Sequence, residues 1–264
     1  MTHEVTDRMP DLPVRLLLVG LFSLAFLSPA HASGVTGRQQ LTYSFDHPVP
    51  IPPYENSGYQ LEVLNDNQVR VTADISPFRN ATSYPCTISD PKANACLTET
   101  ASVPDIPIPD QLRRQMSGQK GYVSAVETIL TYVGRRFRYG QPGHSPFRGD
   151  CNTLTETTIS LMTAFGIPAR RAVFIVMEQD RKTLSGPSLH STVEIFYPGS
   201  GWMFSDPAAS HHFVPASYIR LPDADPGPLL GLEISRKGAL PELRHVGILL
   251  HSNIPKRINL FRFE

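Results

Sequence analysis

The hydrophobic period of this chain changes near residue 110, and that change limits the folds open to it. Before it, apolar and polar residues alternate, as in Gln40-Leu41-Thr42-Tyr43-Ser44-Phe45 and Tyr59-Gln60-Leu61-Glu62-Val63-Leu64. Asn65-Asp66-Asn67 then supplies a turn before Val69-Arg70-Val71-Thr72-Ala73, so the pattern predicts a β-hairpin. Pro48, Pro50, Pro52 and Pro53 mark an extended lead-in to it. Residues 79–110 carry Pro104, Pro107 and Pro109 and read as irregular, the expected boundary of a small β-rich region.

After that boundary the period lengthens to three and four. Tyr122, Val126, Ile129, Leu130, Val133 and Phe137 define an amphipathic helix of about four turns. A second helix is expected from Cys151, with Leu154, Thr158, Leu161, Met162 and Phe165 on one face. Asp150 stands where its N-cap belongs, and Gly166 with Pro168 beyond ends it. Its threonines at 153, 155, 157 and 158 are weak helix formers, so tertiary packing must hold it. Strands follow at 172–177, at 190–197 with Val193 and Ile195 on one face, and at 201–204. Pro198-Gly199-Ser200-Gly201 joins the last two as a hairpin. Weaker alternation at 246–250 and 258–263 suggests further strands in the tail. The fold class is therefore α+β.

Residues 16–27 are apolar except Ser23, follow Arg15, and lead to Ala30-His31-Ala32, a small-x-small cleavage pattern. A run of about a dozen residues falls short of the roughly 20 needed to span a bilayer. Residues 1–32 are expected to be a signal peptide, placing residues 33–110 and 111–264 in the periplasm or outside the cell. An uncleaved anchor, or a start at Met9, are the alternatives. No stable membrane span is expected after cleavage.

Export makes the three cysteines informative. Cys86 and Cys96 lie ten apart in a loop-like stretch, and an oxidising compartment favours joining them. Such a bond would stabilise the fold by about 2–3 kcal/mol in the chain-entropy model. Cys151 is left over, as an accident, an intermolecular link or a reactive thiol. Its place at a helix N-terminus after a Gly-rich loop favours the reactive thiol, because the helix dipole stabilises a thiolate. The same helix start aims the Cys151 N–H at a reacting carbonyl. His190 opens a strand, and Asp206 follows that strand's hairpin partner, sixteen residues later. If the hairpin forms, Asp206 can accept from His190 and fix its tautomer.

Gly149-Asp150-Cys151, the stretch from Leu161 to Arg170, His190-Ser191-Thr192-Val193-Glu194 and Gly201 to Pro207 together resemble the nucleophile, histidine and aspartate motifs of the transglutaminase-like superfamily, in the same order. The resemblance covers residues 115–220. It implies a papain/transglutaminase-like core, a nucleophile helix packed on an antiparallel β-sheet, with Cys151 as nucleophile, His190 as general base and acid, and Asp206 as the orienting group. Two positions depart from the family pattern: Thr192 stands where Trp is frequent, and Ala208 where Thr is.

Such a triad implies acyl transfer at an amide of a peptide or protein substrate through a thioester. Water as acceptor makes a peptidase or amidase, the preferred reading. A lysine amine makes a cross-linking protein-glutamine gamma-glutamyltransferase. A silent peptide or cell-wall binding module is a third reading. Lys+Arg and Asp+Glu both count 24, with no long charged run, so nucleic acid is not an expected partner. No cofactor is implied, and no metal-ligand spacing is present. Asn80-Ala81-Thr82 is a sequon that matters only on a eukaryotic secretory route. His144, His211 and His212 read as loop or surface residues, with His144 able to line a cleft. Gln141 or Tyr139 are candidates for a second oxyanion donor.

Overall fold

The computed structural model describes residues 35–75, 80–98, 104–141, 145–177, 183–185, 189–222, 232–237 and 244–245. All of these belong to one compact unit spanning 31–264. The expectations for the signal segment, the two tail strands and His144 lie outside the described residues. The structure is α+β.

The N-terminal region supplies β1 (Val35–Phe45), β2 (Tyr54–Asn56), β3 (Tyr59–Asn65) and β4 (Gln68–Ile75). The expected hairpin is β3–β4, antiparallel, with a register shift between Val63 and Asn65 at its turn end. Residues 79–110 are less irregular than expected. They contain α1 (Pro91–Thr98), and α2 (Asp110–Met116) begins at their end. Only Ala93 of α1 is buried, so it shows no apolar stripe to read in the sequence. The Asp90 carboxylate caps it, accepting from the Ala93 N–H at 2.8 Å.

The disulfide expected between Cys86 and Cys96 is not present in the structure. Cys96 sits on α1, where its Sγ donates to the Lys92 carbonyl one turn back at 3.5 Å. Cys86 lies before that helix and packs against the helical core, where burial pushes its thiol pKa up.

Then come α3 (Tyr122–Arg136), β5 (Arg138–Tyr139), β6 (Arg148–Gly149), α4 (Cys151–Ala164), β7 (Ala169–Val176), β8 (Thr183–Ser185), β9 (Leu189–Tyr197), β10 (Gly201–Ser205), β11 (Tyr218–Arg220), β12 (Glu233–Lys237) and β13 (Arg244–His245). The central sheet runs β10-β9-β7-β11 and is antiparallel throughout. A larger sheet runs β2-β3-β4-β1-β12-β8, with β13 also on β1. The N-terminal strands therefore share their sheet with β12 and β8 and do not form a sheet of their own.

Two apolar cores flank the central sheet. One joins α3 and α4 to Val193, Ile195, Tyr197 and Met203. The other joins Leu41, Tyr43, Leu61 and Val71 of the large sheet to Phe174, Phe204 and Ile219. Covering both faces explains why β9 is buried from His190 to Tyr197, whereas its alternation had suggested one exposed face.

Candidate active site

The site begins with the turn into α4. The Asp150 carboxylate caps the helix, accepting from the Thr153 N–H at 2.9 Å and the Thr153 hydroxyl at 3.1 Å. That wrap brings Thr153 over Gly149, where a Cβ would meet the Thr153 Oγ1 at 2.4 Å, so only glycine fits. Cys151 thereby becomes the first residue of the helix, half-buried, with its sulfur at the positive end of the dipole.

The β9–β10 hairpin brings His190 to Asp206. Its register pairs Ser205 with Val193, so the chain ends that carry His190 and Asp206 come out side by side. His190 Nε2 and Asp206 Oδ2 are 2.8 Å apart, both buried. With Nε2 committed to the carboxylate, Nδ1 is the ring nitrogen left for Cys151, whose thiol pKa the imidazole lowers. The three residues singled out from the sequence thus meet.

Their protonation states are set by this contact. Burial raises the Cys151 thiol, but the hydrogen bonds from His190 and from the Ser191 N–H outweigh it and hold the thiol below its usual pKa, with Asp150 opposing. For His190, burial disfavours the imidazolium, yet the hydrogen bonds to Asp206 and Cys151 push its pKa up to about 10. Asp206 is buried too, and its hydrogen bonds and the facing imidazole keep it below the usual carboxylate range. The arrangement favours a thiolate–imidazolium pair.

Asp206 has further partners that the sequence did not reveal. The Ala208 N–H donates to Oδ1 at 2.9 Å, and the Tyr218 hydroxyl donates to Oδ2, also at 2.9 Å. Tyr218 sits on β11, two strands from His190, and meets that ring edge-on at 5.8 Å. Only the sheet order β9-β7-β11 places it there; no local signal marks it. Ser191, the residue after His190, is a second omission, because its backbone N–H reaches the sulfur.

The two departures from the family pattern have plain structural places. The Thr192 hydroxyl donates to the Ser205 carbonyl, tying β9 to β10 one residue before Asp206. Ala208 contributes through its backbone alone.

Tyr139 is 45% exposed at the rim of the site. The parallel pairing of β5 with β6 sets it opposite Gly149, two residues before Cys151. Burial raises its phenol, and so do the charges of Asp206, Cys151 and Asp150, which keeps it a protonated donor. Gln141 is exposed, with no site contact among the described residues.

His212 is not the surface residue expected. It is buried, its Nδ1 2.7 Å from the Tyr197 hydroxyl and its Nε2 3.1 Å from Glu127. Its N–H donates to the Ser205 Oγ at 2.9 Å. Burial and the neighbouring His212 push His211 down to about 4, with Glu127 and Asp206 opposing, so its imidazole is neutral at pH 7. Among the described residues, no group of three or more His, Cys, Asp or Glu is placed to hold a metal ion.

A helix on an antiparallel sheet, with cysteine, histidine and aspartate converging at the helix start, is a layout similar to that of papain-like proteins. Residues 110–207 match the family described as the transglutaminase-like superfamily. Two solved structures are similar in fold. One is a proposed cysteine protease from Cytophaga hutchinsonii, 16% identical, covering 80% of this chain and 84% of that one at a TM-score of 0.43. The other is the periplasmic domain of TgpA from Pseudomonas aeruginosa, 18% identical, covering 64% and 69% at a TM-score of 0.38. No curated protein matches the chain.

Proposed function

We propose that this protein is an exported thiol enzyme that transfers acyl groups from amides, with Cys151 as nucleophile, His190 as acid and base, and Asp206 as orienter. The observation that carries the reading is the 2.8 Å bond from His190 to a buried Asp206, with the imidazole's other side on Cys151. The substrate is a peptide or protein with a side-chain or backbone amide.

The Cys151 thiolate adds to the amide carbonyl carbon, and the carbonyl electron pair moves onto oxygen. The Cys151 N–H at the helix start, and the Tyr139 hydroxyl at the rim, are the donors suited to that oxyanion. As the tetrahedral intermediate collapses, the C–N bond breaks and His190 passes its proton to the departing nitrogen. The thioester remains on Cys151. Water, giving its proton to His190, then adds to the thioester, and the C–S bond breaks to release a carboxylic acid and the thiolate. Hydrolysis is the reading favoured here, making the protein a cysteine peptidase or amidase. The signal-like residues 16–32 support action in the periplasm or outside the cell.

The test compares wild type with Cys151→Ala on a panel of glutamine-containing peptides, following ammonia, new amino termini and uptake of an added primary amine. Hydrolysis that vanishes in the variant and outpaces amine uptake supports the proposal. Amine incorporation at a rate rivalling hydrolysis makes the protein a transglutaminase instead. A Cys151 no more reactive than a free thiol at pH 6 removes the nucleophile altogether.

A further inference from the structure

Asn152 directly follows the nucleophile, is exposed, and is held in one orientation. The Ser191 hydroxyl donates to its Oδ1 at 2.6 Å, and Ser191 is the residue after His190 on β9. Because the carbonyl side of the carboxamide is committed to Ser191, the amide nitrogen is turned away from the strand. No acceptor among the described residues meets that nitrogen. A buried group left so would be costly, but an exposed one at the mouth of a site is a donor available to a ligand. The Ser191–Asn152 tie fixes its aim without loss of side-chain freedom on binding, which is how a recognition donor is preorganised.

We infer that Asn152 is a specificity-determining residue whose Nδ2–H donates to a carbonyl oxygen of the bound acyl donor, next to the carbonyl that Cys151 attacks. This rests on Cys151 acting as the nucleophile of the proposed function. The ligand class that fits is a peptide-type chain, which carries a second carbonyl acceptor within one residue of the reacting amide. A thiol reagent without such a carbonyl gains nothing from Asn152.

Two reagents separate these roles. Dithiodipyridine, used with Cys86 and Cys96 both replaced by serine in every protein compared, reports on the Cys151 thiolate without peptide recognition. A peptidyl chloromethyl ketone, acetyl-Ala-Ala-CH2Cl, adds a peptide carbonyl; the thiolate forms an S–CH2 bond and chloride leaves. The readout is the ratio of the two second-order rate constants, which cancels any change in thiolate population. Asn152→Asp keeps the oxygen that Ser191 needs and replaces only the donor; Asn152→Ala removes both. The ratio is expected to fall about threefold to tenfold in both variants, the worth of one hydrogen bond. A ratio within twofold of wild type in Asn152→Asp overturns the inference, whatever the alanine variant does. Cys151 reacting with dithiodipyridine no faster than free cysteine, in the protein lacking Cys86 and Cys96, is a different failure, that of the nucleophile itself.

Discussion

Gly134 of α3 lies against the carbonyl of Pro207: a methyl group on Gly134 would sit 2.4 Å from that oxygen. Pro207 follows Asp206, so the helix backbone is one wall of the turn that presents the carboxylate. On an open helix, alanine in place of glycine adds about 1 kcal/mol of stability. Here the sign reverses, because the methyl must displace backbone. Gly134→Ala is expected to destabilise by about 1–3 kcal/mol, the usual cost of overpacking. By moving Asp206 it should also slow alkylation of Cys151. Urea unfolding and iodoacetamide kinetics measure the two effects; a stabilised variant with unchanged alkylation would refute the role given to this contact.

The alkylation rate of Cys151 should depend on pH in a way that reports its partner. The thiol is held below its usual pKa while the imidazole is pushed up to about 10. Above the lowered thiol pKa and below that of the imidazole, the pair is thiolate and imidazolium. Alkylation should therefore continue below the pH at which an ordinary thiol stops reacting, and hydrolysis should decline at alkaline pH as His190 loses its proton. Asp206→Asn removes the charge that holds the imidazolium. The rising limb should move to higher pH by about one unit or more, cutting the rate at pH 6 about tenfold. A limb that stays in place would mean that Asp206 does not act through His190.

Tyr218 and His190 donate to the same oxygen of Asp206. Tyr218→Phe keeps the ring against His190 and deletes one donor to a buried carboxylate. The expected cost at pH 7 is about 1–2 kcal/mol. The sign of its pH dependence follows from Asp206. A carboxylate whose folded pKa is lowered contributes stability above its unfolded pKa and loses it as pH falls through the folded one. Removing a donor raises the folded pKa, so the gap between wild type and variant should be widest at neutral pH and shrink on acidification. Melting temperatures across pH 3–7 test this; a constant gap would assign the loss to packing.

Much of the central architecture could be read from local pattern. Asp150, Cys151 and Gly166 marked both ends of α4, and the turn at Pro198–Gly201 predicted the hairpin that joins His190 to Asp206. What escaped reading depends on pairings between distant segments. Tyr218 reaches Asp206 only through the order β9-β7-β11, and β1 meets β12 across a sequence separation of 191 residues, from Ser44 to Ser235. Cys86 and Cys96 looked like a loop pair because α1 has no apolar stripe to betray a helix. His212 looked like a surface residue because the Glu127 that meets it lies on α3, far away in sequence.

Glu194 gives the last case, since its sequence position in a strand offers no hint of its setting. It is 0% exposed, on β9 facing the large sheet. Its carboxylate accepts from the Tyr54 hydroxyl and the Asn56 side-chain amide, each at 2.5 Å, and from Arg170 Nε at 2.7 Å. Tyr54 and Asn56 belong to β2, so one side chain fastens the edge of the large sheet to the central one. Arg170 also lies over the Trp202 ring at 4.1 Å and is 39% exposed. In Glu194→Ala the guanidinium can turn toward water, which spares part of the cost, but the Tyr54 and Asn56 donors lose their acceptor. The expected destabilisation is about 3 kcal/mol, the low end for breaking a buried ion pair. Tyr54→Phe, which removes a single donor, should cost about 1 kcal/mol. If urea unfolding gives the two variants the same small loss, Glu194 is not the fastener, and the apolar contacts of Tyr54 with Phe204 hold β2 in place.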